Sequence, residues 1–168
     1  MSFREVFNND EWFKLQEAVF WMFFEIAGAD GKVDKNEIMA LRRICDNSKL
    51  LSNQLIVEIL DSIGTQIIDS FSTKRFDSSE IRNGLKEISQ ILIGRIDSKE
   101  AVYFKKSLIA IGAYIANSSG SYLTSMISDS EEQTLHELSL FLKLRHKDLL
   151  TFPTIIEMLK HLDTNIKD

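Results

Sequence analysis

Residues 27–44 read AGADGKVDKNEIMALRRI, and the fold of the chain turns on this stretch. It begins where an apolar run ends, turns at Asp30-Gly31, and resumes at Asp34 with Ile38, Leu41, Ile44 and Cys45 at helical spacing. Gly31 can turn the chain after a helix, and Asp30 suits a turn. Asp34 is a good N-cap, because its carboxylate can accept from the backbone N–H of Asn36 or Glu37. Glu37 then stands at the third helical position, where it can reach back to the cap and favours the positive end of the helix dipole. The stretch therefore predicts helix, turn, helix.

Working outward, the same period recurs on both sides. A first helix is expected from about Asn9 to Ala29, with Trp12, Leu15, Val19, Met22, Phe23 and Ile26 on its inner face. From Val19 to Phe24 it is apolar all round, which predicts burial; Phe20-Trp21 and Phe23-Phe24 read as core rather than as a cofactor pocket. The helix from Asp34 runs to about Asn47. Ser52 is expected to cap a third helix, with Leu55, Ile56, Ile59, Leu60 and Ile63 inward. Asp69–Phe76 is polar enough to be a connection. Asp77-Ser78-Ser79-Glu80 and Asp97-Ser98-Lys99-Glu100 are two helix-start signals, opening helices through Leu92 and to about Asn117. A serine-rich loop over 118–128 leads to a helix from Asp129 to about His146, and a last helix follows Thr151 with Pro153 in its first turn.

One proline and seven glycines in 168 residues leave few breakers, and no strand pattern emerges. The expectation is all-α: one domain over 1–168, a compact bundle of about seven helices. A weak internal repeat supports two pseudo-repeated halves. Ile26–Gly31 followed by Val33–Glu37 parallels Ile115–Gly120 followed by Ile127–Glu131. It places helices 9–29 and 98–117 in equivalent positions, at the centre of the bundle.

Composition narrows the class. A chain of this length buries roughly 70% of its unfolded surface and needs no disulfide or metal to stabilise its core. The lone Cys45 cannot pair within the chain, which favours a reducing compartment. The opening MSFREVFNNDEW is charged where a signal peptide would be apolar. The longest apolar run, Ala18–Phe24, is far below the roughly 18–20 residues of a membrane span. Net charge is −5, with Arg42-Arg43, Lys74-Arg75 and Lys105-Lys106 scattered, so no nucleic-acid footprint emerges. A cytoplasmic protein is expected.

The opening stretch also has the look of half a calcium loop. With Gly31 as the turn glycine, Asp30, the Lys32 carbonyl, Asp34 and Glu37 fall on ligand positions, but the first two ligands become Ile26 and Gly28. An ion here would keep waters or borrow Glu25 or Glu131. The helix-cap reading and the weak divalent-cation reading both remain open for Asp30, Asp34 and Glu37.

An apolar helix ending in A-x-A-D-G, then V-D-x-x-E and an amphipathic helix, resembles the tellurite-resistance protein B (TerB) family. The resemblance implies a helical bundle of two related halves across essentially the whole chain. It also implies acidic inter-helix turns that serve as a divalent-metal or partner site. Carried onto this chain, the site is Asp30, Asp34 and Glu37 in the first half and Glu131 in the second, where Ser119 and Ser128 replace acids. TerB-like domains also open certain membrane-anchored J-domain co-chaperones, which extends the expectation to a membrane surface.

Other constellations carry less. Glu132 and His136 share a helix face but lack a second histidine at matched spacing, so an ion pair is expected. Lys143, Arg145, His146 and Lys147 are expected at a helix end, complementing its dipole. Cys45 has no histidine near it in sequence, and no phosphate loop, nucleophile elbow or zinc-protease helix occurs. Tyr122, Leu123, Met126 and Ile127 either dock a partner or fold over the core. The functional expectation is a non-enzymatic TerB-like module of a bacterial stress-response or defence system, acting through a protein partner and requiring no cofactor. The alternative is a divalent-metal sensor built on the acidic turns.

Overall fold

In the computed structural model, residues 2–27, 35–72, 74, 76–118 and 136–166 are described, and every regular element among them is helical. The first helix, α1 (Asn9–Ala27), starts as its sequence allows: Asn8 Oδ1 accepts from the Glu11 N–H at 2.9 Å, and Glu11 returns a bond to the Asn8 N–H at 3.0 Å. Its stretch Ala18–Phe24 is buried on all sides. The helix that begins with the quoted stretch, α2 (Lys35–Asp46), buries Glu37, Ala40, Leu41 and Ile44.

The third helix, α3 (Gln54–Ser62), is capped one residue later than expected. Asn53, not Ser52, turns its side chain onto the Ile56 N–H at 2.9 Å, and its amide donates to Glu100 at 2.8 Å. The first half of the expected connection over 69–76 is helix instead: α4 spans Thr65–Ser72, and the described residues Lys74 and Phe76 are not helical. The Gly64 carbonyl accepts the first bonds of α4, Ile68 is buried, and Arg42 pairs with Asp69 at 2.7 Å. Both later start signals hold. Asp77 caps α5 (Ser78–Leu92) through the Glu80 N–H at 2.8 Å, and Asp97 Oδ1 accepts from the Lys99 N–H at the head of α6 (Ser98–Asn117).

Helices α1 and α6 make the largest helix–helix contact, with α5 laid on α1 and α2, α3 and the last helix against α6. The two helices that the repeat makes equivalent are thus the central pair. On α6 every residue from Phe104 to Ile115 is buried.

The C-terminal third departs most from expectation. The helical residues 136–141 (α7) do not continue to His146. Lys143 takes a left-handed φ of 56°, its N–H bonds to the Leu140 carbonyl, and the Leu144 N–H bonds to the Ser139 carbonyl at 2.8 Å. Those two bonds are a Schellman stop with lysine where glycine is usual. A short helix, α8 (His146–Leu150), follows, so the basic cluster sits at a helix start: Arg145 is its N-cap and Asp148 accepts from the Arg145 N–H at 2.9 Å. The last helix, α9 (Ile155–Asn165), is capped by Thr154 with Glu157 in a reciprocal box. Pro153 lies just ahead of that cap rather than in the first turn, and the Phe152–Pro153 peptide is cis.

Candidate functional site

Of the sequence-predicted site residues, Asp30, Asp34 and Glu131 lie outside the described residues, as do Tyr122, Leu123, Met126, Ile127 and Glu132. Glu37 is described. It occupies the first turn of α2 and is only 4% exposed, which suits a carboxylate committed to its surroundings. The end of α6 reaches this place, because the Ser118 hydroxyl donates to the Asn36 carbonyl at 3.4 Å. Beside that junction is an open hollow of about 640 Å³ whose walls include Met39, Arg42, Arg43 and Ser118. From α2 it is lined by two arginines and one carboxylate, Asp46, with Arg42 also paired to Asp69. Among the described residues no group of three or more His, Cys, Asp or Glu side chains could hold a metal ion. Burial pushes the Glu25 carboxyl up; Arg82 pulls it down and Glu137 adds to the rise.

A second place was not singled out by sequence reasoning. It is the corner Thr151-Phe152-Pro153 between α8 and α9, facing α6. Lys99, Tyr103 and Lys106 fall at positions i, i+4 and i+7 on α6 and so share the face turned toward this corner. Lys106 is 3% exposed, and its ammonium donates to the Thr151 carbonyl at 2.9 Å and to the Thr151 hydroxyl at 3.0 Å. The Thr151 hydroxyl in turn donates to the Asp148 carbonyl at 2.7 Å. Both Asp148 oxygens accept from the Arg145 side chain, at 3.2 Å each.

Burial pushes the Lys106 ammonium below its ordinary value, while the Asp148 and Glu157 carboxylates work the other way. Lys105 is shifted down for the same first reason, opposed by Asp148. Burial alone would push the Asp148 carboxyl up, but the Arg145 side-chain and backbone bonds, with the Arg145 and Lys147 charges, leave it below the ordinary range.

Two hollows flank the corner. One, of about 390 Å³, is walled by Lys99, Tyr103, Lys106, Arg145, Thr151 and Phe152. The other, of about 330 Å³, shares Tyr103, Phe152 and Pro153 and is otherwise closed mainly by Leu51, Met158 and Leu162. Phe152 stands between them at 84% exposed, with Leu150 nearby in sequence at 68%. One signal could have revealed the place: the pair Lys105-Lys106 sits in the middle of an otherwise apolar helix, where charge has to be accommodated rather than solvated.

Among the described residues no helix is long and apolar enough to cross a membrane. No family model matches the chain, and no solved structure matches it. Over 110 residues it is 32% identical to "Uncharacterized protein ORF11'" of Methanothermobacter thermautotrophicus, the match covering 64% of this chain and 74% of that protein.

Proposed function

This chain belongs to the same family as the archaeal protein ORF11', and within that family we propose that it is a non-enzymatic helical module that works by docking a protein partner. Its TerB-like turn motif suggests a stress-response or defence setting of the tellurite-resistance kind. The observation that carries the docking reading is Phe152. A phenyl ring 84% in water forgoes the roughly 1.5–3 kcal/mol that its burial would return. Here the ring is held between two hollows by a corner with little freedom of its own. Thr151 is tied to Lys106 and Asp148, and Thr154 is locked to Glu157. A pre-formed aromatic anchor of this kind loses little entropy on binding and is the usual centre of an interface.

The test is photo-crosslinking in the source cells with a benzoylphenylalanine at position 152, against the same group at the exposed Lys86 of α5. A discrete adduct at 152 alone is expected. The purified adduct partner should then bind the native chain and lose roughly 30-fold in affinity for Phe152→Ser, the scale of an aromatic hot spot. Equal binding of Phe152→Ser would sink the proposal.

A second reading is a divalent-cation sensor using Asp30, Asp34, Glu37 and Glu131. It is favoured by the Ser118–Asn36 bond, which sets the end of α6 beside the first turn of α2. Thermal unfolding of metal-stripped protein, with and without calcium, magnesium, manganese or zinc, tests it. A native-state ligand at 100 times its dissociation constant adds about 2.7 kcal/mol, and Asp30→Asn should abolish that gain. No shift with any of the four ions would dispose of the sensor.

A further inference from the structure

We infer that the hollow walled by Lys99, Lys106 and Arg145 is a carboxylate site, and that the docked partner fills it with an acidic side chain beside an apolar one. The partner half of this statement rests on the docking reading above; the carboxylate half rests on the hollow alone.

Lys106 is the floor of the site. Its ammonium has three donors, and Thr151 takes two of them, leaving the third for whatever fills the space it lines. The charge balance points the same way. Among the described residues Lys99, Lys106 and Arg145 share the lining of this hollow with one carboxylate, Asp148, whose two oxygens already accept from Arg145, while Glu157, in the neighbouring hollow, also acts on Lys106. The hollow is therefore positive on a chain whose net charge is −5. A buried cation of this kind is matched by an incoming anion through a charge-assisted hydrogen bond.

The second hollow supplies the other half of the specificity. It shares the Tyr103, Phe152 and Pro153 ridge, and Leu51, Met158 and Leu162 give it an apolar part, with Glu157 and His161 also in its wall. A segment crossing the ridge can place a carboxylate on one side and an aliphatic side chain on the other. Charge complementarity thus commits the site to an acidic, apolar-flanked polypeptide segment.

The experiment uses the full chain labelled with ¹⁵N-lysine. A buried, hydrogen-bonded ammonium exchanges slowly enough to be followed by NMR, so Lys106 reports directly. The probe is an acetylated, amidated hexapeptide alternating glutamate and leucine, with a glutamine–leucine version, acetate and inorganic phosphate as comparisons. A saturable shift of the Lys106 signal with the glutamate peptide, absent with the glutamine peptide, is expected. Lys106→Met should weaken binding by about tenfold or more, as loss of one charge-assisted bond does. Should that variant not fold, Arg145→Gln and Lys99→Gln, both on exposed positions, should each weaken binding measurably.

No Lys106 shift with the glutamate peptide, or an equal shift with the glutamine peptide, overturns the carboxylate site. Acetate or phosphate binding as tightly as the peptide overturns the polypeptide assignment in favour of a free anion. A Lys106 shift that follows protein concentration without peptide overturns it in favour of a second copy of the chain. An adduct at position 152 with no Lys106 response defeats this inference and spares the docking reading; a Lys106 response with no adduct at 152 defeats the docking reading and spares the carboxylate site.

Discussion

Gly84→Ala is the most revealing single substitution in the bundle. Gly84 lies on α5 where that helix crosses α1, and a Cβ built on it would come within 2.6, 2.7 and 2.8 Å of Cζ3, Cη2 and Cε3 of Trp21. Carbon atoms pack best at roughly 3.5–4.0 Å, so the indole would have to retreat by about 1 Å. It has nowhere easy to go, because Trp21 is only 6% exposed and sits within the α1 core stretch. Two effects oppose each other. Replacing a mid-helix glycine with alanine gains about 1 kcal/mol of helix propensity. Overpacking a filled core costs about 1–3 kcal/mol. The clash should win by about 1 kcal/mol, which at this chain length lowers Tm by about 2–4 °C.

Urea unfolding followed by far-UV circular dichroism measures the change without depending on tryptophan fluorescence. Gly64→Ala is the control, since nothing lies within 4 Å of its would-be Cβ. In a Trp21→Leu background the obstruction is gone, and Gly84→Ala should turn from loss to gain, a coupling of about 2 kcal/mol. If Gly84→Ala instead stabilised the native chain by its full propensity gain, the close α1–α5 approach would be refuted.

Three further outcomes are expected. Asn53→Ala removes both the α3 cap and the partner of Glu100, and should cost about 1–2 kcal/mol in the same urea assay. Asp148→Asn should destabilise the chain by about 1 kcal/mol at pH 7 through loss of the Arg145 bonds. Because the folded carboxyl titrates below its unfolded value, that contribution is present above about pH 3.9 and is lost as pH falls through the folded pKa, so the two proteins' stabilities should converge in strong acid. Burial, helped by the Asp46 and Asp61 charges, pushes the Cys45 thiol up to about 12, so iodoacetamide at pH 8 should leave native protein unmodified while alkylating urea-unfolded chain; rapid native labelling would contradict its placement.

The helical class and the central pair were legible because they depend on long-range periodicity, which Ala18–Phe24 and the run from Phe104 to Ile115 display strongly. Caps built from aspartate, at Asp77 and Asp97, were legible for the same local reason. The misreadings occur where a residue does an unusual job. Lys143 ends α7 in a conformation that glycine normally marks, so the stop carried no sequence signal. Asn53 outcompeted Ser52 because only Asn53 also reaches Glu100, a partner distant in sequence. Asp69–Phe76 reads as polar, yet its first residues finish α4, which Ile68 anchors to the core and Asp69 ties to α2. The Phe152 corner was signalled only by the Lys105-Lys106 pair, because its residues come from α6 and from 145–153, and only folding brings them together.

The burial of α6 from Phe104 to Ile115 has a consequence for the chain's dynamics. A helix with partly exposed flanks can release its amide protons through small local openings. A segment enclosed along its whole length has no such route, since freeing any one of these amides means dismantling the helices around it. Deuterium should therefore enter residues 104–115 of α6 only when the entire bundle opens. The exchange rate of this one segment becomes a gauge of global stability, readable in the folded protein without denaturant.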